Sequence, residues 1–301
     1  MSLSFDGNVV LVTGAGGGLG RSYALEFARR GASVVVNDVG GAVDGTGQAA
    51  GPAQAVVDEI RAAGGQALAD AHSVADPDGA EAMVAAAVEA FGRIDVVVNN
   101  AGILRDEALH KLTDAAWAAV TAVHLTGTMQ VSRAAVRRMR EQGYGRIVNT
   151  TSPAGLYGNF GQTSYGAAKM GIVGLTRVLA VEGASKGIKV NAVAPGARTR
   201  MTEAAMGPLG DVLDLRPELV SPVVVYLSHR RCELSGEVLS AAFGRVSRVF
   251  IGSTPGWFSR DLTAEAVEEN LAAVLSDEGL SYPRNLEDEV GLALAHYQLT
   301  N

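Results

Sequence analysis

The sequence of 301 residues has one cysteine, 5% aromatic residues and no long apolar run. The lone Cys232 excludes an internal disulfide, fits a reducing compartment, and is interpreted as a small buried hydrophobe. The first residues contain neither a basic segment nor a long apolar stretch, and no later run approaches the ~20 apolar residues of a membrane helix. These absences predict a cytoplasmic protein that does not bind a membrane.

Basic residues are too few to form a continuous face. The formal net charge is −7, whereas binding to nucleic acid requires Lys and Arg side chains that neutralise phosphates. Nucleic acid is therefore excluded as a main partner, and no metal site is expected. The 48% hydrophobic content is enough to fill one large core.

Apolar runs of strand length alternate with helical patterns along the chain, which predicts an α/β fold with a doubly wound, Rossmann-like parallel sheet. Strands are predicted at Val9–Thr13, Ser33–Asn37, Gln66–Ala69, Val96–Asn99, Gly145–Thr150, Lys189–Ala194 and Glu237–Ala241. The two longest helices are predicted at Asp114–Arg140 and Ser164–Ala184. Irregular segments are expected at Gly40–Gly51 and Gly196–Pro217, and the second has the length of an active-site lid.

The predicted helix Ser164–Ala184 has small or apolar residues on nearly every face. A helix that is apolar all round is expected to be buried all round. Because a single domain covers such a helix on one side only, we expect a homodimer or homotetramer formed through the helices 114–140 and 164–184.

A change of organisation is expected after residue 244. We predict one Rossmann-like catalytic domain over residues 1–244 and a C-terminal extension over residues 245–301. The extension contains the apolar residues Trp257, Phe258, Val267, Leu271 and Val274. Since burial of a large side chain contributes about 1.5–3 kcal/mol, we expect the extension to pack on the core or on a neighbouring subunit.

A glycine-rich loop separates the first predicted strand from the first predicted helix. It reads Gly14-Ala15-Gly16-Gly17-Gly18-Leu19-Gly20. Glycines permit a tight turn and the close approach of a pyrophosphate, whose charge is met by the N–H groups of the following helix. The strand before and the helix after favour a dinucleotide site over a plain turn. Cofactor contacts are expected from Gly14, Gly18, Leu19 and Gly20.

Asp38 follows the second predicted strand. A carboxylate at this position accepts hydrogen bonds from the adenosine ribose and repels a 2′-phosphate. No Lys or Arg lies within the glycine loop or directly after Asp38 to bind that phosphate. The sequence therefore favours NAD over NADP, although an Asp at a strand end is also a common turn residue.

Tyr165 and Lys169 lie four residues apart, on one face of a predicted helix, with Ser152 thirteen positions upstream. A Lys ammonium beside a phenol favours the phenolate, so we expect it to lower the pKa of Tyr165 into the range of a general base. Ser152 is then placed to hold the oxygen of the substrate. A Tyr-x-x-x-Lys pair alone is more often an ordinary pair on an amphipathic helix, but here it follows a dinucleotide motif.

Five motifs together resemble the short-chain dehydrogenase/reductase superfamily in order and spacing. They are Thr13-Gly14-x-x-x-Gly18-x-Gly20, Asn99-Asn100-Ala101-Gly102, Ser152, Tyr165-x-x-x-Lys169 and Pro195-Gly196. Within the superfamily the chain resembles the (3R)-hydroxyacyl-CoA dehydrogenase units of type 2 peroxisomal multifunctional enzymes and bacterial single-domain relatives. That narrower resemblance rests on the stretches 35–41, 92–106 and 157–162, and more weakly on 263–267.

The resemblance implies a role for each matching residue. Tyr165 is the expected acid/base, Lys169 lowers its pKa and holds the nicotinamide ribose, and Ser152 orients the carbinol or carbonyl oxygen. Hydride then passes directly between the substrate carbon and the nicotinamide. Further cofactor contacts are implied for Asn99, Ala101, Gly102, Pro195, Gly196 and Thr199.

Two histidines depart from the pattern usual in the superfamily. His124 stands where most members have an Asn that supports a proton relay, and the multifunctional branch resembles this chain here. His124 is a candidate catalytic residue, with a satisfied core histidine as the open alternative. His72 stands where an Asp often contacts the adenine, and an imidazole there accepts a hydrogen bond or stacks.

These features predict an NAD-dependent enzyme that oxidises a secondary alcohol to a ketone. The resemblance favours a (3R)-3-hydroxyacyl-CoA-type substrate. A hydroxysteroid or another bulky secondary alcohol stays open as an alternative, because substrate loops change while catalytic residues are retained. A non-enzymatic NAD-binding regulator is disfavoured, because such a protein does not need Ser152, Tyr165 and Lys169 together.

Overall fold

The computed structural model describes residues 2–49, 51–202 and 213–299. Eight strands form one sheet: β1 Val9–Thr13, β2 Ser33–Asn37, β3 Gln66–Asp70, β4 Val96–Asn99, β5 Gly145–Thr150, β6 Ile188–Gly196, β7 Val238–Ala242 and β8 Arg245–Val249. The described α-helices are α1 Gly18–Arg29, α2 Gly51–Ala62, α3 Pro77–Phe91, α4 Asp114–Thr121, α5 Gly127–Gln142, α6 Pro153–Tyr157, α7 Thr163–Gly183, α8 Ser221–Ser228, α9 Ala264–Glu269, α10 Leu271–Val274 and α11 Leu286–Leu299. A π-helical turn at Ala122–Thr126 joins α4 to α5.

The strand order is β3-β2-β1-β4-β5-β6-β7-β8, and every pairing from β3 to β7 is parallel. The order reverses between β1 and β4, which makes the carboxyl ends of these two strands the switch point where ligands bind in open α/β sheets. The structure confirms the predicted α/β fold with a doubly wound, mostly parallel sheet.

The strands are short runs of valine because both faces of the sheet are covered by helices. Along β1, Val10 and Val12 belong to one core cluster, whereas Val9 and Leu11 belong to the cluster on the other face. The alternation of side chains along a strand thus divides one apolar run between two cores.

The predicted strand bounds agree with the structure to within two residues, but β8 was missed. Strand β8 follows β7 after a two-residue turn in which Phe243 and Gly244 both have positive φ, at 56° and 75°. Two such residues form a tight antiparallel hairpin. Glycine signals this conformation in a sequence, but phenylalanine does not, so the hairpin was not predicted.

Helix α7 keeps one face exposed in the isolated chain. Its residues Ala167, Met170, Gly174, Val178 and Val181 recur every three or four positions and are exposed in the isolated chain. The isolated chain covers the remaining faces of α7 and leaves this one open, so burial on every face requires another copy of the chain, and that contact stays a prediction. The exposed residues are called the α7 stripe below.

The chain divides into two compact units, Met1–Arg248 and Val249–Asn301. The second unit contains α9, α10 and α11, an antiparallel bridge between Ser253 and Ser281, and an edge-to-face contact between Phe250 and Tyr282 at 4.6 Å. None of its residues whose burial is described is fully buried. Docking of this segment stays a prediction. The central part of the predicted excursion Gly196–Pro217 lies outside the described residues.

Candidate active site

A cavity of about 340 Å³ opens at the carboxyl ends of the strands, around the switch point. It brings together most of the residues that the sequence singled out: Gly14, Gly18, Leu19, Asp38, His72, Ala101, Gly102, His124, Ser152, Tyr165, Lys169, Pro195 and Thr199. Motifs spread over 186 positions, from Gly14 to Thr199, therefore border one space.

The glycine loop is shaped by close backbone contacts. Gly14 has φ 64°, and a Cβ there would lie 2.8 Å from the Cα of Ala101. Asn100 fixes the loop to the end of β4, since its Nδ2 donates to the carbonyl oxygens of Thr13 and Gly14 at 3.0 and 3.1 Å. The first residues of α1 are thereby presented to the cavity with little room for side chains.

The N-terminus of α1 has free binding capacity. Its N-cap, Gly17, offers no side-chain hydrogen bond, and its first turn carries no acidic residue. The first N–H groups of a helix lack partners within the helix and carry partial positive charge. These uncapped donors at the glycine loop fit the diphosphate of a dinucleotide.

The Asp38 carboxylate is built into this loop. One oxygen accepts from the backbone N–H of Gly16 at 2.8 Å, and the other accepts from that of Gly40 at 2.7 Å. Each carboxylate oxygen has a second lone pair, so hydrogen bonds from ribose hydroxyls are still possible. Asp38 thus holds the turn and also borders the cavity, so the turn role does not exclude the predicted contact with a ribose.

The loop after Asp38 covers one side of the cavity. Val43 accepts from the N–H of Leu104 at 2.9 Å through its carbonyl, and the carbonyl of Asp44 accepts from Nε of Arg105 at 2.8 Å. Sequence reasoning left this loop without a role. It also missed Arg200, whose guanidinium borders the cavity and would lie 3.9 Å from a Cβ on Gly17.

Three residues predicted to bind the cofactor do not line the cavity. Asn99 is buried, and its Nδ2 donates to Ser132 Oγ and to Asn149 Oδ1, both at 2.9 Å. A Cβ on Gly20 would meet the carbonyl of Gly14, and a Cβ on Gly196 would lie 2.6 Å from the Cβ of Ala242. These glycines allow close packing behind the site. Asn100, not Asn99, borders the cavity.

Ser152 and Tyr165 meet at the inner end of the cavity. Ser152 is the N-cap of α6, with its Oγ accepting from the N–H of Ala154 at 3.2 Å, and Tyr165 lies in the first turn of α7. Burial raises the pKa of Tyr165, and a hydrogen bond from Ser152 opposes that rise. The phenol is therefore protonated at neutral pH in the isolated chain.

Lys169 is fully enclosed below the phenol. Its Nζ donates to the carbonyl of Thr150 at 2.7 Å and lies 5.5 Å from the centroid of the Tyr165 ring. Burial lowers the pKa of Lys169 to about 7. The predicted lowering of the Tyr165 pKa by Lys169 is not what the isolated chain gives: burial raises the pKa of Tyr165, and the group that opposes the rise is Ser152.

His72 and His124 both border the cavity. The Nδ1 of His72 lies 2.8 Å from a carboxylate oxygen of Asp70, beside the end of β3. His124 lies in the π-helical turn, is buried, and meets the Tyr165 ring edge to face with 5.1 Å between ring centroids. Its Nδ1 has no partner among the described residues, so His124 is not a fully satisfied core histidine.

The fold and the site together define a class of protein. A family model for short chain dehydrogenases matches residues 8–207. The chain belongs to this family, whose members use NAD(P), and it is a dehydrogenase that acts on CH–OH groups.

Individual relatives agree with this assignment. The chain is 47% identical over 296 residues to the peroxisomal multifunctional enzyme A of Dictyostelium discoideum, covering 98% of this chain and 66% of that protein. It is 40% identical over 289 residues to the hydroxyacyl-CoA dehydrogenase ChsB1 of Mycobacterium tuberculosis, covering 90% of this chain and 88% of that protein. The structure of full-length peroxisomal multifunctional enzyme type 2 from Drosophila melanogaster matches with a TM-score of 0.81 and 36% identity, over 98% of this chain and 50% of that one.

The chain therefore spans two thirds or less of the length of the two multifunctional relatives. Its similarity to them and to bacterial short-chain dehydrogenases confirms the resemblance predicted from the sequence. Both multifunctional relatives are named as peroxisomal, so a cytoplasmic location stays a prediction. Among the described residues, no helix has both the length and the apolarity to cross a membrane. Within the same residues, no three His, Cys, Asp or Glu side chains are grouped as a metal would require.

Proposed function

We propose that this enzyme oxidises the 3-hydroxyl group of a (3R)-3-hydroxyacyl-CoA-type thioester to a ketone with NAD, reversibly. One observation carries the proposal: Ser152, Tyr165 and Lys169 converge on a cavity that also contains the uncapped end of α1 and the Asp38 carboxylate. Residues able to transfer a proton and residues that fit a dinucleotide thus border the same cavity.

Tyr165, once ionised to the phenolate, accepts the carbinol proton, and Ser152 fixes the oxygen that loses it by a hydrogen bond. NAD supplies the hydride acceptor. Lys169 assists because its ammonium, when charged, favours the phenolate of Tyr165. A Lys169 pKa near 7 lets this charge respond to small changes in the site, including the negative charge of a bound diphosphate.

NAD is proposed over NADP because of Asp38. The carboxylate is fixed by the N–H groups of Gly16 and Gly40, so it cannot rotate away from a ribose 2′-phosphate without breaking both hydrogen bonds. Two like charges in contact disfavour binding. Arg200 borders the cavity beside Gly17, where its charge favours the phosphates of either cofactor.

An apolar rim supports a substrate with a long apolar part. The connection from Ser152 to Tyr165 carries Tyr157 and Phe160, which are 73% and 91% exposed. It lies beside the segment that carries the exposed Leu109, since Gln162 Nε2 donates to Asp106 Oδ2 at 2.7 Å. Because Ser152 and Tyr165, the two ends of this connection, line the cavity, we propose that these exposed side chains, called the apolar rim, contact an acyl chain that extends from it. The relatives' names, which include hydroxyacyl-CoA dehydrogenase, support the same substrate class.

We propose that the enzyme works as a homodimer or homotetramer. Within the α7 stripe, the side chains of Met170, Val178 and Val181 are 40% to 58% exposed on one helix face. A continuous stripe of small and apolar residues permits close approach of an identical helix, which pairs the stripe with itself around a two-fold axis.

The substrate assignment is tested by a turnover screen. Purified protein with NAD is offered (3R)- and (3S)-3-hydroxyacyl-CoAs of several chain lengths and a set of hydroxysteroids, and NADH absorbance is followed. We expect the (3R)-thioesters to be oxidised with a kcat/KM at least about 100-fold above that of their enantiomers. If only hydroxysteroids were oxidised, the proposed thioester substrate would be wrong and a hydroxysteroid would be the substrate. The assignment as an oxidoreductase would still hold.

A further inference from the structure

The loop that follows Asp38 forms one wall of the cavity. Residues 39–49, called the strap below, lead from β2 toward α2 and contain neither helix nor strand. Most of them border the cavity, among them Val39, Val43 and Gln48. Because Asp38 is proposed to hold the adenosine ribose, the strap borders the adenosine half of the proposed cofactor site.

The two ends of the strap meet at its base. The N–H of Ala49 donates to the carbonyl of Val39 at 2.9 Å, and the N–H of Gly40 donates to Asp38 Oδ1 at 2.7 Å. Gly40 has φ 68°, and a Cβ there would overlap the carbonyl oxygen of Ala49. A compact surface loop whose ends are this close is an Ω-loop, a type of loop that is frequently functional.

Little in the strap itself keeps it against the cavity. In the described range 39–49 no residue is buried, and residues 44–49 are exposed. Its internal hydrogen bonds are short-range, such as that from the N–H of Ala42 to the carbonyl of Thr46 at 2.8 Å. Segments with few buried apolar contacts and solvent-exposed hydrogen bonds open at low free energy. The closed position of the strap therefore depends on contacts at its tip.

Within the part of the chain that the structure describes, two hydrogen bonds hold the tip. The N–H of Leu104 donates to the carbonyl of Val43 at 2.9 Å, and Nε of the half-buried Arg105 donates to the carbonyl of Asp44 at 2.8 Å. Ile103, which precedes this pair, is buried and gives it a fixed support. The bond from Arg105 has a charged donor, and such bonds are roughly twice as strong as bonds between neutral groups. Arg105 is therefore the main side-chain contact of the tip.

We propose that Arg105 is a positioning residue that latches the strap over the adenosine half of the cofactor, and that release of this latch sets the rate at which the cofactor leaves. Arg105 is not among the described residues that border the cavity, so it acts through the strap, whose Val43 does border it. A latched strap retains the dinucleotide while alcohol and ketone exchange at Ser152 and Tyr165. The inference rests on the proposed cofactor site.

Two variants separate the hydrogen bond from the charge of Arg105. In Arg105→Gln, Nε2 stands at the same place along the side chain as Nε of arginine, so the N–H donor is retained. In Arg105→Met, that place is taken by a methyl group, and both variants lose the charge. From Arg105→Met, we expect NADH to dissociate about tenfold faster than from the wild type, because an unlatched strap opens more often. From Arg105→Gln, it should dissociate at close to the wild-type rate.

The rates are measured by stopped-flow fluorescence of NADH, with excess NAD as the displacing ligand. Arg61→Met is the matched control, because Arg61 in α2 also donates to a carbonyl, that of Ala67 at 2.9 Å, away from the cavity. It should leave both NADH rates unchanged. Unchanged dissociation from Arg105→Met overturns the proposal. Equal effects of the Gln and Met variants, with slower association, also overturn it and would assign Arg105 to attraction of the phosphates by its charge.

Amide hydrogen exchange, measured by NMR, follows the latch directly and needs no substrate. Exchange of the Leu104 N–H should be faster in Arg105→Met than in Arg105→Gln, and NADH should slow it in the wild type. The N–H of Val97, within β4, should exchange equally in all three proteins. Exchange at Leu104 as slow as at Val97 in every protein overturns the proposal. A wild type that does not bind NADH refutes the proposed function and the latch together, whereas NADH that binds and dissociates equally fast from every variant refutes only the latch.

Discussion

Asp38 accepts a hydrogen bond from the backbone N–H of Gly16 at 2.8 Å, so the carboxylate that follows β2 and the glycine loop that follows β1 are joined directly. The group proposed to select the cofactor is therefore part of the loop that receives the diphosphate. Cofactor choice and loop shape depend on one side chain.

Replacing this carboxylate should weaken NAD binding and reduce cofactor selectivity. Asp38→Ala removes hydrogen bonds between a charged group and the ribose, so we expect the Kd of NAD to rise roughly 10- to 100-fold and its advantage over NADP to narrow. Isothermal titration of both cofactors checks this. Asp44→Asn, an exposed acid on the same loop, is the control and should change neither Kd. Tighter binding of NADP than of NAD to the wild type would refute the role of Asp38.

The buried Lys169 should make stability depend on pH. Its pKa in the folded protein is about 7, below the ordinary value of 10.5, so the unfolded chain binds more protons between these values and stability rises with pH across that window. From pH 7 to pH 10, wild type should gain up to about 4 kcal/mol in free energy of unfolding relative to Lys169→Met. Urea unfolding without cofactor measures the difference. A difference that does not vary with pH would contradict the depressed pKa.

The apolar rim should affect long substrates more than short ones. Phe160→Ser and Tyr157→Ser each remove a large apolar contact, so KM for a long-chain hydroxyacyl-CoA should rise about tenfold, with little change for a four-carbon substrate. Tyr226→Ser, at another exposed tyrosine, on α8, is the control. Equal effects on short and long substrates would assign these aromatics another role.

The α7 stripe should determine the oligomeric state. Val178→Glu places a charge in the centre of the stripe, and burying an unpaired charge is strongly unfavourable. Light scattering should show a smaller species for this variant than for the wild type, whereas Ala85→Glu, at an exposed position of α3, should not change the size. A wild-type protein that is monomeric at all concentrations would exclude the proposed assembly.

The strands of the sheet could be predicted from the sequence because each is marked by a local pattern of residues. Val9–Thr13 and Val96–Asn99 are apolar runs whose ends are marked by turn residues, and the structure places both strands at the predicted bounds. Asn99 and Asn100 show the limit of this reasoning. Adjacent residues of the same type point to opposite sides of the strand end, one into a buried network and one to the cavity, and only the register of the strand distinguishes them.

The direction in which His124 points could not be predicted from the sequence either. Periodicity predicts one continuous helix over 114–140, and a π-helical turn adds a residue without interrupting the apolar pattern. Whether the imidazole faces Tyr165 or the core depends on that single added residue. Which residues of α7 form the stripe did not follow from composition, since an apolar face that meets another copy has the same composition as one that meets the core.

Tyr165 is proposed to transfer the proton in the oxidation of a secondary alcohol. Tyr165→Phe removes the ionisable oxygen and keeps the ring against His124, so kcat should fall by about 10²- to 10⁴-fold while NAD binds with unchanged affinity. The decisive measurement is the single-turnover rate of NADH formation, at saturating substrate, for wild type and Tyr165→Phe. A variant that retains more than about a tenth of the wild-type rate would show that another group transfers the proton, and it would contradict the account.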